Sequence, residues 1–287
     1  MLFRSVVIPT YNRSGPLARA LDSVARQSVA VGEIIVVDDG SRDHSVAMLR
    51  DQYPQVRVYV QPHAGVSAAR NRGIRSSSAA WIAFLDSDDE WLPCKIERQL
   101  DALRARSGYR VCHSNEIWVR DGRRVNPRKR HAKQGGWIYQ QCLALCCISP
   151  SAVLLHRSVF QSCGHFDESL PACEDYDLWL RVCSRMPVAF VPDPLIIKHG
   201  GHGDQLSRQH PAMDRFRVMA LEKMLAEQTL TDGNRQATLD MLTTKLAILE
   251  KGARKRKNID KTLFYFNKLK YFNALKQVPL MPPGRMS

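Results

Sequence analysis

Residues 81–91 read Trp81-Ile82-Ala83-Phe84-Leu85-Asp86-Ser87-Asp88-Asp89-Glu90-Trp91, and this junction decides the fold. Five mostly apolar residues, suited to a buried strand, run straight into three closely spaced carboxylates. Carboxylates this close repel one another, and burial at a strand end raises their pKa values unless a cation compensates. A divalent ion, Mg²⁺ or Mn²⁺, is the expected cation, because hard carboxylate oxygens suit it and it keeps positions open for water and phosphate. Taken alone, Asp-x-Asp also describes a solvated acidic turn, so the reading depends on what the rest of the chain brings to the same place.

Upstream, apolar β-branched runs at 5–9, 33–37 and 56–60 predict strands, and the segments at 14–27, 44–53 and 65–76 predict helices between them. A further helix is expected from Pro93 to about Arg106. Strands alternating with helices of about ten residues make βαβ units and a parallel sheet, whose ligands bind at the carboxyl ends of the strands. Thr10 to Arg13, Asp38 to Ser41 and Asp86 to Asp89 all follow strand ends, so they converge on one edge. Asp38 and Asp39 equally suit the capping of the next helix. No glycine-rich phosphate cradle or Walker lysine is present, so a bound diphosphate would need a metal held by Asp88.

In order, the chain carries Pro9-Thr-Tyr-Asn-Arg13, Ile34-Ile-Val-Val-Asp-Asp-Gly-Ser41, Ala69-Arg-Asn-Arg-Gly-Ile74 and Phe84-Leu-Asp-Ser-Asp-Asp89. This succession resembles family 2 of the nucleotide-sugar glycosyltransferases, which adopt the α/β GT-A fold. The resemblance implies a mostly parallel central sheet flanked by helices and a helical C-terminal extension. It implies a nucleotide held by Pro9, Thr10, Tyr11, Asn12, Arg13, Asp38, Asp39, Arg70, Asn71 and Asp86, with Asp39 on the base, uracil, and Asp86 near the ribose or donor sugar. Asp88, with Asp86, would then ligate Mn²⁺ or Mg²⁺ across the diphosphate.

Past a strand expected at 109–114, the chain shows a basic loop at 120–133, an apolar helix at 137–147, a strand at 151–155 and then Gly164-His-Phe-Asp-Glu168. Cys173-Glu174-Asp175 opens a helix with Leu178 and Val182 on its buried face. Acidic residues in a first turn suit the helix dipole, which by itself explains Glu174 and Asp175. In the resembled family a Gly-x-Phe-Asp-Glu segment followed by Glu-Asp supplies the catalytic base, which implies Asp175 in that role with Glu174 in reserve. Inverting transfer needs one carboxylate to take the acceptor's proton, and the leaving diphosphate needs no general acid. A strand pair broken by Pro192 and Pro194 is expected at 188–197, then a glycine-rich flexible loop with His199 and His202. The resemblance implies that one of these histidines reaches the metal once donor is bound.

The net charge of +14 is unevenly placed. Residues 120–133 hold seven Lys and Arg against one acid, residues 251–287 hold ten against one, and the remainder is nearly neutral. Anionic lipid, nucleic acid or an anionic acceptor would each match these two stretches. The division expected is a GT-A domain over 1–207, a helical extension over 208–250, with Gly233 separating two helices, and a basic aromatic-rich tail over 251–287. That tail is expected either to lie on an anionic membrane surface or to pack on the catalytic domain. No apolar run is long enough to span a bilayer and no secretory signal opens the chain, so a cytoplasmic protein, peripheral on the inner face of the membrane where the tail binds there, is expected. The partners implied are a nucleotide-sugar donor and a glycan, lipid-linked or other hydroxyl acceptor. A metal-dependent nucleotidyltransferase would share the fold, but this chain lacks the glycine-rich, basic N-terminal loop expected there. A nucleic-acid-binding protein would find its phosphates repelled by the strand-end carboxylates.

Overall fold

The structure is a computed structural model that describes residues 4–201, 203, 210–227 and 229–276. β1 (Arg4–Thr10) is buried at every residue, as a central strand covered on both faces must be. It pairs in parallel with β2 (Glu33–Asp38) and with β4 (Trp81–Phe84), and β3 (Arg57–Val60) extends the parallel block beyond β2. The crossovers are α1 (Ser14–Ala25), α2 (Ser45–Gln52) and α3 (Val66–Ser76). α1 turns Leu17, Leu21 and Val24 inward, the spacing that identified it in the sequence.

The second half widens the sheet with mixed pairing. β5 (Glu90–Trp91), α4 (Lys95–Arg104), β6 (Val111–Arg120) and β7 (Arg123–Val125) come first. They are followed by α5 (Tyr139–Ala144), β8 (Leu154–His156), α6 (Ser158–Cys163), α7 (Glu174–Cys183) and β9 (Ala189–Gly200). The strand order is β3-β2-β1-β4-β8-β6-β9-β5, with β7 added to β6. β8 is antiparallel to both β4 and β6, so β6, and β9 parallel to it, point the same way as β1, β2 and β4.

α8 (Asp214–Ala226), α9 (Asp232–Lys255) and α10 (Ile259–Lys276) complete the described chain. Phe216, Leu221, Leu242 and Leu246 from the first two of these share one buried cluster with Val7, Ile82 and Phe84 of the sheet and with α7. The opposite face of the sheet packs Val6, Ile8 and Leu85 on α1 and α4.

Several local expectations change. The prolines at 192 and 194 do not break a strand pair: β9 is one strand, and two register shifts against Ser114 to Glu116 of β6 absorb the residues that lack an N–H or bulge outward. The basic loop is partly ordered as the β6–β7 hairpin, turned by Asp121 and Gly122 at positive φ, and a 3₁₀ turn at Lys129–His131. The apolar stretch at 137–147 forms only the six-residue α5. Gly233 lies in the first turn of α9, capped by Thr231, and that helix runs through residue 250 to Lys255. His199 is in β9 and not in a flexible loop, whereas His202 and residues 204–209 lie outside the described residues.

One close approach holds α3 on the sheet. A Cβ on Gly73 would lie 2.3 Å from Cγ1 of Val7, a fully buried and β-branched neighbour with no room to turn. Gly73→Ala is therefore expected to destabilise the protein by about 1–3 kcal/mol through overpacking, although Ala is the better helix former. A urea melt with an unchanged slope and a lower midpoint is the expected record, and an unchanged midpoint would show that the contact is slack.

Candidate active site

Because β1, β2, β4, β6 and β9 share a direction, their carboxyl ends form one edge, and the expected carboxylates gather there. Arg70, buried on α3, is the centre of the cluster. Its Nη2 donates to Asp86 Oδ1 at 2.7 Å and its Nη1 to Glu174 Oε1 at 2.6 Å, so one guanidinium joins the strand-end motif to the first turn of α7. Burial opposes its charge, but the two carboxylates outweigh burial and hold its pKa above the ordinary arginine value. Asn71 does the parallel work on the backbone: its Nδ2 donates to the Phe166 carbonyl and to Glu168 Oε1, both at 2.8 Å, and its Oδ1 accepts from the Phe166 N–H at 3.0 Å. Two residues expected beside a nucleotide thus fasten the Gly164–Glu174 segment to α3.

Asp88 pairs with Arg13 at 2.6 Å. Asp89 is buried, accepting from Ser151 Oγ at 2.6 Å and from the His199 N–H at 3.0 Å. Burial raises its pKa well above the usual carboxylate range, Lys198 opposes the rise, and the neighbouring Asp88 and Asp86 add to it. The His199 ring faces Glu90, Nε2 to Oε1 at 2.7 Å, and Arg19 reaches the same oxygen at 3.1 Å.

At the other end of the edge, Asp38 Oδ1 accepts from the Gly40 and Ser41 N–H groups and shapes the turn after β2. Asp39 Oδ1 accepts from Gln61 Nε2 and the Ala64 N–H, and Oδ2 from the Gly65 N–H, with His63 Nδ1 at 2.9 Å. Its carboxylate therefore clasps the 61–65 loop. Asn12 bonds Ser41 Oγ and the Arg42 N–H, so the loops after β1 and β2 are laced together. The exposed Tyr11 ring stacks on His63 at 4.3 Å between centroids. Two buried polar atoms here have no partner among the described residues, Thr10 Oγ1 and Asp38 Oδ2, while Pro9 lies buried in β1.

Glu174 and Asp175 differ in their surroundings. Burial and the adjacent Asp175 push Glu174 upward against the pull of Arg70. Asp175 is half-buried, with Oδ1 accepting from the Tyr176 N–H at 2.7 Å and Oδ2 from Cys146 Sγ at 3.2 Å. Cys146 is thereby kept a thiol, its pKa raised first by burial and then by Asp175. Lys198, which the sequence reading passed over, is the cation common to the whole cluster. Burial lowers its pKa, but Glu116, Asp89, Asp86 and Asp175 together raise it. Ser151 and Cys146 were also passed over. A single Lys, Ser or Cys carries no spacing signal, and only the register of β9 and the segment between α5 and β8, with its 3₁₀ turn at Pro150–Ala152, bring these three to the edge.

The sequence profile of glycosyl transferase family 2 matches residues 5–163. The chain belongs to that family. An uncharacterized glycosyltransferase of Rickettsia typhi is 28% identical over 211 residues, 70% of this chain, and the match spans 64% of that relative's own length. WfgD of Escherichia coli, named as a UDP-Glc:alpha-D-GlcNAc-diphosphoundecaprenol beta-1,3-glucosyltransferase, is 29% identical over 186 residues, 62% of this chain and 68% of its own. Among solved structures, S. aureus TarS 1-349 in complex with UDP-GlcNAc superposes with a TM-score of 0.66 at 15% identity, covering 99% of this chain and 95% of that TarS 1-349 chain. The fold is of the GT-A type, with a curled mixed sheet and a helical C-terminal region.

Asp86 and Asp88 of this family 2 chain each commit one oxygen to an arginine, which leaves the other oxygen of each for a cation. Among the described residues no three His, Cys, Asp or Glu side chains close on one point. The pair fits Mg²⁺ or Mn²⁺ held by one or two carboxylates, with phosphate and water completing the shell, and does not form an all-protein cage.

Arg70→Gln leaves two carboxylates in a buried site without their cation, and is expected to cost about 3–5 kcal/mol. With the guanidinium gone, burial and Asp175 act on Glu174 unopposed. A carboxyl whose folded pKa lies above its unfolded one contributes most below the unfolded pKa, and that contribution is lost as pH rises through the folded pKa. The deficit of the variant should therefore be larger at pH 7 than at pH 4.5. Chemical denaturation at both pH values checks this, and a deficit that grows on acidification would contradict it.

Proposed function

We propose that this chain is an inverting glycosyltransferase that moves a sugar from a UDP-linked donor to an acceptor hydroxyl, with Asp175 as the base. The observation that carries the reading is the Arg70 bridge, which sets the Asp86 end of the donor motif and the Glu174-Asp175 turn on either side of one guanidinium. A UDP donor is favoured by two similar proteins, WfgD, named for a UDP-Glc donor, and TarS, crystallised with UDP-GlcNAc.

The nucleotide would lie over the laced loops after β1 and β2, where the Tyr11 and His63 rings give a stacking surface and Thr10 Oγ1 and Asp38 Oδ2 await partners. The Asp39 clasp sets the shape of that floor through the 61–65 loop. Asp86 and Asp88 would hold Mn²⁺ or Mg²⁺, which when bound supplies Lewis-acid stabilisation of the diphosphate leaving group. Arg13 and Arg70 each hold one oxygen of those carboxylates in place. Asp175 takes the acceptor proton: it is the most accessible of the three acids on α7, whereas Glu174 is spent on Arg70 and Asp177 is buried against Arg181. Cys146 and the Tyr176 N–H fix the direction of the Asp175 carboxylate.

No helix among the described residues is long and apolar enough to cross a membrane. α10 packs Tyr265, Leu269 and Phe272 on the protein and turns Leu263, Phe264, Phe266 and Tyr271 outward, with Lys255, Arg256, Lys257, Lys261 and Lys270 exposed beside them. We read this as a peripheral contact with an anionic, cytoplasmic membrane face, made by the side of the helix opposite the one packed on the protein.

Asp175→Asn keeps size and polarity and removes only proton acceptance, so transfer is expected to fall by ~10²–10⁴ with UDP binding and Tm nearly unchanged. Glu174→Gln should lower Tm more than it lowers the rate of the folded fraction. Full transfer by Asp175→Asn would remove the assignment. For α10, the pair Phe264→Ser with Phe266→Ser should weaken binding to phosphatidylglycerol vesicles by about tenfold or more, at little cost in stability because both side chains are exposed. Unchanged co-sedimentation would leave α10 a purely structural helix.

A further inference from the structure

The stretch 120–133 is a basic arm whose two ends are both fastened to the candidate site. At its root, Val119 and Arg120 of β6 lie in register with His199 and Gly200 of β9, and the His199 N–H bonds Asp89 of the carboxylate cluster. At its return, Lys133 pairs with buried Glu116 at 3.3 Å and donates to the Cys147 carbonyl at 2.9 Å, one residue from the Cys146 thiol that touches Asp175. The arm therefore leaves the sheet beside the donor carboxylates and rejoins the protein beside the proposed base.

Between these anchors the arm is cationic and uncompensated. Arg120, Arg123, Arg124, Arg128, Lys129 and Arg130 are all exposed, and none makes an ion pair with a carboxylate among the described residues. Asp121, the single acid of the arm, sits in the turn against Gly201. Elsewhere on the protein exposed arginines such as Arg57, Arg98 and Arg104 have carboxylate partners. Six cations without carboxylate partners on an arm held beside an acidic site repel one another, and an ordered arm of this kind is stabilised by an anion that lies across it.

We infer that this arm is the acceptor-side subsite and that the acceptor carries phosphate, as a sugar phosphate or diphosphate ester, next to the hydroxyl that is glycosylated. The inference rests on the glycosyltransferase reading for what is done with the bound molecule, but the binding itself is independent of it. The Arg fork suits phosphate oxygens through paired N–H donors, and the arm's return, where Lys133 meets the Cys147 carbonyl, lies one residue from the Cys146 thiol that touches Asp175, on the side where the incoming hydroxyl must arrive.

The test uses the full chain with UDP in excess, so that the donor site is filled, and compares by calorimetry a hexose 1-diphosphate bearing a short alkyl chain with the matching neutral alkyl hexoside. The diphosphate is expected to bind at least about tenfold more tightly, with the advantage shrinking between low and physiological salt. The variant Arg123→Gln, Arg124→Gln, Arg128→Gln, Lys129→Gln should erase the advantage while leaving UDP binding and Tm in place, since all four side chains are exposed. Equal affinity for the two glycosides, or an advantage that survives in the variant, overturns the inference. So does tight binding of phosphatidylglycerol vesicles or of a single-stranded oligonucleotide to the arm without any preference for the diphosphate glycoside. Failure of UDP to bind at all, with the diphosphate preference intact, would strike the glycosyltransferase reading and leave the arm's ligand standing.

Discussion

A single buried guanidinium holds two halves of this molecule in one geometry. Arg70 sits on a helix of the parallel block, and its partners come from 16 residues downstream and from 104 residues downstream, so neither carboxylate finds the other without it. A lysine could satisfy only a point charge there, whereas the planar fork of arginine reaches two acids along separate N–H vectors. The neighbouring Asn71 repeats the fastening with neutral bonds, which fixes the backbone where Arg70 fixes the charge. The acid left half-exposed beside this clamp is Asp175.

The parallel block was legible in the sequence because its periodicities are strong and local. The run through Val6, Val7 and Ile8, the helical spacing of Leu17, Leu21 and Val24, and the acidic ends at Asp38 and Asp86 all state their roles within a few residues. The mixed half was less so. β9 carries two prolines that argue against a strand, and what makes it one is the bulged register against β6, a long-range pairing that no window contains. The apolar stretch around α5 resembles a helix, but most of its residues are committed to covering α7 and α9, and only six take helical hydrogen bonds.

Site residues divide in the same way. Strand-end carboxylates announce themselves by crowding, and their convergence follows from strand direction alone. Their partners do not. The sequence placed Arg70 and Asn71 beside a ligand because of their motif, and only the folded chain shows that their side chains are spent on residues 166, 168 and 174. Lys198, Ser151 and Cys146 are isolated residues of ordinary type, and they acquire meaning from burial among the acids. Charge was more informative than motif at the arm, since a count of Lys and Arg located it without any view of its shape.

The bond from the His199 amide to Asp89 spans 110 residues of chain. During synthesis, everything from Thr10 to Asp89 leaves the ribosome long before β9 does, so the nascent protein must carry a folded or half-folded nucleotide floor whose innermost acid still lacks one of its two donors. The contact is slow to find, since closing so long a loop costs entropy that local contacts do not repay. Completion of the cluster is therefore coupled to insertion of β9 between β6 and β5, and the early parallel block by itself has no means of assembling a finished reaction centre.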